Sequence, residues 1–168
     1  MTDSSGPHAR LRALSSELIS IHQWLRDELA RLKREVAAHL DGRGERPTEL
    51  RAHCAAFCSA LTDHHTGEDN GAFPELARSH PDLRPVIDKL MQDHQMVSTL
   101  VQSLQRLVTG LPEKPSPKEA RRISSELDGL AAILESHFVF EERRITDALD
   151  ALPPEAGSTE KLLGLSAP

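Results

Sequence analysis

The sequence has no tyrosine, one tryptophan, four phenylalanines and two cysteines in 168 residues. Without tyrosine, any mechanism that needs a tyrosyl ligand or radical is excluded. Two cysteines with no CxxC spacing supply no disulfide framework. No run of about 18 apolar residues occurs, so no segment is expected to span a membrane. The opening residues MTDSSGPHARLR lack the apolar stretch of a secretory signal, which makes the cytoplasm the expected location. Basic residues are outnumbered as well: 20 Lys and Arg against 26 Asp and Glu leave a formal charge of −6. That sign argues against a nucleic-acid partner, which calls for a basic surface. Histidine is the exception to this scarcity, with nine in the chain.

Apolar residues recur at spacings of three and four, the period of an amphipathic helix, in four segments. The first covers roughly 9–40 with Leu14, Leu18, His22, Leu25, Leu29, Leu32 and Val36 on one stripe. DGRGERP at 41–47 breaks it. The second runs over 48–69 with Leu50, Cys54, Phe57, Leu61, His64 and Glu68. Asn70-Gly71 ends or bends it before FPEL. The third covers 83–109 with Ile87, Leu90, His94, Val97, Val101, Leu104 and Val108. The fourth starts at Ser116, with Pro117 and then Glu119 three residues after the cap. It runs to about 150 through Ile123, Leu127, Leu130, Leu134, His137 and Glu141, and Pro153-Pro154 stops it. The expected fold is all-α: an antiparallel up-down four-helix bundle over 9–150, with flexible extensions at 1–8 and 151–168. Leu162, Leu163 and Leu165 give the last segment a means of docking on the bundle.

Each stripe is interrupted by one histidine: His22, His64, His94 and His137. From His22 to His64 is 42 residues, and from His94 to His137 is 43. His64 is followed four residues later by Glu68, and His137 four later by Glu141. The chain thus reads as two helical hairpins of the form H…HxxxE. Burying two carboxylates without compensation costs several kcal/mol each. Beside four imidazoles they require a proton-sharing network or a metal, and metal compensates both donor types. Residues i and i+4 share a helix face, so each HxxxE offers a nitrogen and an oxygen to one site. Four His and two Glu are too many donors for one ion; two ions bridged by Glu68 and Glu141 use them all. No His has Glu three positions before it, which excludes the ExxH di-iron pattern, and no HExxH zinc-protease motif is present.

The ordered set His22, His64-TGE-Glu68 within DHHTGEDNGAFPEL, His94 within QDHQM and His137-FVF-Glu141 resembles the hemerythrin-like (HHE cation-binding) family across roughly 15–150. The resemblance implies a bundle around two non-haem iron ions. His22 and His64 would serve one iron, and His94 and His137 the other. Glu68 and Glu141 would bridge them, with an oxo or hydroxo group as third bridge. The oxygen-carrying members have HxxxH on the third helix, where this chain has Ser98, and HxxxxD on the fourth, where it has Glu141 at i+4 and Glu142 at i+5. Position i+4 is rotated only about 40° from His137 and i+5 about 140°, which favours Glu141, with Glu142 as the fallback.

With this donor set each iron would receive five ligands and keep one open position. Two adjacent open positions suit a bridging ligand such as peroxide, and the residual +2 charge of a diferric oxo-bridged pair favours an anionic or reducible one. The expected activity is catalase-like breakdown of H2O2 by Fe(II)/Fe(III) cycling. The alternative is a module that binds O2, NO or iron without turnover, as a sensor or store, in either case as a monomer or homodimer. Ser98, one turn after His94, either hydrogen-bonds a bound water or peroxide or is a plain helix serine. His65 with Asp69 forms a second pair one residue out of register, read as supporting the ligands from behind or as solvated. Cys54 and Cys58 read as small buried apolar residues, with a redox dithiol as the alternative. Cys54 and His53 lie too far along the helix to join the site, and His39 caps a helix or is solvated. Leu25, Leu61, Leu90, Val97 and Leu134, each one turn from a candidate ligand, are expected to wall the site.

Overall fold

A computed structural model describes residues 13–42 and 47–168. The segment 1–8, the start of the helix expected from 9, and residues 43–46 of the break lie outside the described residues. Regular structure among the described residues is entirely helical: α1 (Leu14–Leu40), α2 (Pro47–Asn70), α3 (Ala72–Ser79), α4 (Arg84–Thr109), α5 (Pro117–Asp150) and α6 (Thr159–Leu163). Two single 3-10 turns, Pro81–Leu83 and Pro154–Ala156, precede α4 and α6.

The helix starts follow from local chemistry. At α5 the Ser116 hydroxyl accepts the Glu119 amide (3.2 Å), and the Glu119 carboxylate accepts the Ser116 amide (2.8 Å). This reciprocal cap satisfies two donors that the first turn leaves unpaired. The first turn of α1 is capped from a distance: Asp150, at the end of α5, accepts the amide (2.9 Å) and hydroxyl (2.7 Å) of Ser15. A carboxylate there also meets the positive end of the helix dipole.

Helix α1 packs on α2 and α5, and α4 packs on the same two, so the four long helices close a ring. Short connections make consecutive members antiparallel, giving the four-helix bundle. The apolar stripes meet inside it: Leu18, Leu25, Leu32, Leu61, Leu90, Leu104, Leu130 and Leu134 are all buried.

Two short elements close the bundle near the end of α2. Helix α3, not foreseen as a separate helix, carries the chain from α2 towards α4 and buries Phe73 and Leu76. The C-terminal segment docks through Leu162 and Leu163, both fully buried, with Leu165 packed behind them. The extension at 151–168, expected to be flexible, is instead docked, through the leucines that gave it a means of docking. Its fit depends on glycine. A Cβ on Gly67 would lie 2.2 Å from the Gly164 Cα, and Gly164 itself adopts φ +78°, a conformation suited to glycine. No helix among the described residues is long and apolar enough to cross a membrane.

Candidate metal centre

Each of the four long helices contributes one stripe histidine to a single level of the interior. His22, His64, His94 and His137 are buried, and so are Glu68 and Glu141. The imidazoles meet in pairs across helix interfaces. His22 Nε2 lies 3.1 Å from His64 Nε2, and His94 Nε2 lies 3.2 Å from His137 Nε2. Within each helix the i+4 carboxylate stands beside its histidine: His64 Nε2 to Glu68 Oε1 is 2.8 Å and His137 Nε2 to Glu141 Oε2 is 3.3 Å. Glu141 Oε2 also reaches across to His22 Nε2 at 3.5 Å.

The outer nitrogens determine how these rings present themselves. His64 Nδ1 donates to the Leu163 carbonyl (2.6 Å), His22 Nδ1 to Glu142 (3.1 Å), His94 Nδ1 to Asp69 (2.8 Å) and His137 Nδ1 to Asp93 (3.2 Å). A carbonyl or carboxylate can only accept, so the proton of each neutral ring belongs on Nδ1 and the Nε2 lone pair points inward. Burial lowers His22 and His64 to about 4, which keeps both neutral at pH 7. Two neutral Nε2 atoms facing one another at 3.1 Å have no proton to share, and a cation resolves that contact. Histidines that ligate metal are held this way, with the second ring N–H donated to a carboxylate or carbonyl.

The carboxylates make the stronger case. Among the described residues, none donates a hydrogen bond to any of the four oxygens of Glu68 and Glu141, although all are sealed from solvent. Burial raises Glu68 to about 7, and burial together with the charge of Glu68 raises Glu141. Burial opposes a charge on His137, but contact with Glu141 and the charges of Glu141 and Glu68 outweigh it and raise that ring. Orphaned buried carboxylates are costly, and a cation relieves both. Three triads of donor atoms lie within 4.8 Å of one another: His22, His64 and Glu68; Glu68, His94 and Glu141; and His65, His94 and His137. Glu68 and His94 each appear in two of them, so the three triads form one continuous cluster. Imidazole nitrogen plus carboxylate oxygen is a donor set for a divalent first-row metal.

The remaining candidates fall around this cluster. Glu142 points outward, where hydrogen bonds from His22 and Arg26 overcome burial and hold it at about 2. It therefore orients His22 from behind, and Glu141 is the residue that faces the imidazoles. Asp69 and Asp93 do the same for His94 and His137. His65 is not solvated: its ring is buried, stacks on His94 with centroids 3.8 Å apart, and leaves Nε2 without a partner among the described residues. Ser98 is exposed and, with His65 and His94, lines a cavity of about 110 Å3 between α2 and α4. Leu25, Leu61, Leu90, Val97 and Leu134 are buried.

Farther off, Cys54 and Cys58 are buried free thiols with sulfurs 3.9 Å apart. His39 Nε2 lies 3.3 Å from the Pro112 carbonyl, and His53 contacts Glu28, Glu35 and Arg31. Of the outer partners, Asp69 was expected in such a supporting role, whereas Asp93 and the partner of His64 were missed at the level of sequence. Asp93 supports His137 although it precedes His94, and the partner of His64 is a main-chain carbonyl.

The family model described as the hemerythrin HHE cation binding domain matches residues 13–149. No curated protein and no solved structure gives a match.

Proposed function

Given that the chain belongs to the hemerythrin HHE cation-binding family, we propose that the cluster holds two non-haem iron ions and turns over hydrogen peroxide. The observation that carries this reading is the pair of fully buried carboxylates, Glu68 and Glu141, with four oxygens that accept no hydrogen bond from the described residues. In the proposed arrangement Glu68 and Glu141 would be shared between the two metals, together with an oxo or hydroxo group. His22 and His64 would hold one metal, and His94 and His137 would hold the other. The metal pair supplies a two-electron couple.

The protein's own part is positional. Four Nδ1–H donors fix the rings and leave Nε2 free as a ligand. The surrounding leucines keep bulk water from the carboxylates, which strengthens their hold on a cation. The cavity that reaches His94 and His65 suits a molecule of a few atoms. Peroxide fits the electron count without a further reductant: one H2O2 takes up two electrons and two protons to give two waters, and a second releases both to give O2. The test is O2 release from H2O2 by the iron-loaded chain, set beside the iron-free chain and Glu68→Ala. Turnover that depends on iron and is lost with Glu68 is expected. Equal turnover by the iron-free chain would falsify the reading.

A second reading is binding of O2, NO or iron without turnover. It is favoured by the same orphaned carboxylates, because relieving them ties bundle stability to occupancy. Iron-dependent melting with no O2 release from peroxide would select it.

A further inference from the structure

The stripe assignment gave one histidine to each helix, but α2 lies between α1 and α4 and touches both. Adjacent residues on a helix point about 100° apart, so two consecutive histidines on such a helix can serve two different neighbours. His64 turns towards His22 of α1, with ring centroids 5.1 Å apart, and His65 turns towards His94 of α4 and His137 of α5. Resting on the two-metal reading above, we propose that His65 is a fifth imidazole ligand, assigned to the metal position shared by His94 and His137.

Three observations support this. His65, His94 and His137 each offer a donor atom within 4.8 Å of the other two. His65 Nε2 is buried and has no hydrogen-bond partner among the described residues, an arrangement that costs free energy unless something binds it. Ser98, one turn after His94, and His65 line the same cavity, so His65 is within reach of the space beside His94.

The consequence is an unequal pair. One metal position has three imidazoles and the other two, with both carboxylates shared. That replaces the expectation of two equally supplied metal positions. His65 and His94 are stacked nearly parallel, at 11°. Rings so arranged do not aim at one point, so binding one metal would require the His65 ring to turn off His94.

The test uses ferrous iron added anaerobically to the metal-free full chain, to His65→Leu and to His65→Gln. Iron retained per chain and the Mössbauer spectrum are recorded, and metal-free melting reports folding. The wild type is expected to retain two irons in two distinguishable environments. Both variants are expected to bind the second iron at least about tenfold more weakly, the scale of losing even a supporting partner, while the first iron stays. Metal-free His65→Leu is expected to melt no lower than the wild type, because it removes an unpaired buried nitrogen. A folded variant with two irons, wild-type affinity and an unchanged spectrum overturns the assignment of His65 alone. A wild type that takes up no iron pair overturns the two-metal reading on which it rests.

Discussion

The two halves of the centre look equivalent in spacing and differ in support. On the α1/α2 side, His64 is held by a main-chain carbonyl of the docked C-terminal segment, and His22 by Glu142, itself paired with Arg26. Both rings are sealed, and His22 stacks on Phe138 at 4.1 Å. On the α4/α5 side, His94 and His137 are held by two partly exposed aspartates, Asp69 and Asp93, and a cavity reaches His94. A carboxylate behind an imidazole makes it a stronger donor than a carbonyl does. The halves therefore share ligand types but not donor strength or access, and near-identical spacing does not imply identical chemistry.

The largest expected effect comes from removing what the halves share. Glu68→Leu should abolish retention of both metals, from about two per chain to fewer than one, measured by elemental analysis. In the metal-free state the same variant should be more stable by about 1–3 kcal/mol, because an unpaired buried carboxylate is gone. Loss of stability in the metal-free melt would show that Glu68 has a partner inside the apo bundle.

The next effect separates the halves. Gly67→Ala places a Cβ against the backbone of Gly164. It should lift the C-terminal segment, expose Leu162 and Leu163, and cost about 1–3 kcal/mol. Because His64 loses its carbonyl acceptor, metal should be lost first from the α1/α2 position. Hydrogen exchange across 159–168 together with metal counting checks both; a segment that stays protected contradicts the docking role given to these glycines.

Asp93→Asn and Asp69→Asn should each weaken metal binding about 10- to 100-fold on the α4/α5 side. Glu142→Gln should act only on the other side. Competition titrations against a chelator compare them, and equal effects of all three on both metals would remove the distinction between the halves.

The response to pH is smaller. Glu68 lies at about 7 in the folded metal-free chain, above its ordinary 4.5. The folded chain then binds a proton that the unfolded chain releases, so this contribution is lost as pH rises from about 4.5 to 7. His22 and His64, lowered to about 4 from 6.5, have the opposite sign, and their contribution is lost as pH falls through that window. Metal displaces the Glu68 proton, so the gain in Tm on loading should be greater near pH 8 than near pH 6. Paired melts at the two pH values decide this, and a smaller gain at pH 8 counts against Glu68 as a ligand.

The bundle was legible in the sequence because the apolar period of 3.6 is strong in four segments and Ser116-Pro117 with Glu119 marks a start unambiguously. His22, His64, Glu68, His94, His137 and Glu141 were legible as interruptions of those stripes. What was hidden depends on neighbours in space. Periodicity assigns each helix one inward face, which set His65 aside although α2 faces two partners. Asp69 and Asp93 support rings on helices other than the one their position suggests. The Leu163 carbonyl has no side-chain signature, and α6 is too short to show a period.

Iron per chain is the measurement closest to the central claim, taken on protein purified without added metal or chelator and again after reloading with ferrous iron. A two-metal centre predicts about two irons per chain and a melting temperature that rises with occupancy. One zinc per chain, or no iron retained on reloading and melting indifferent to chelation, would contradict it.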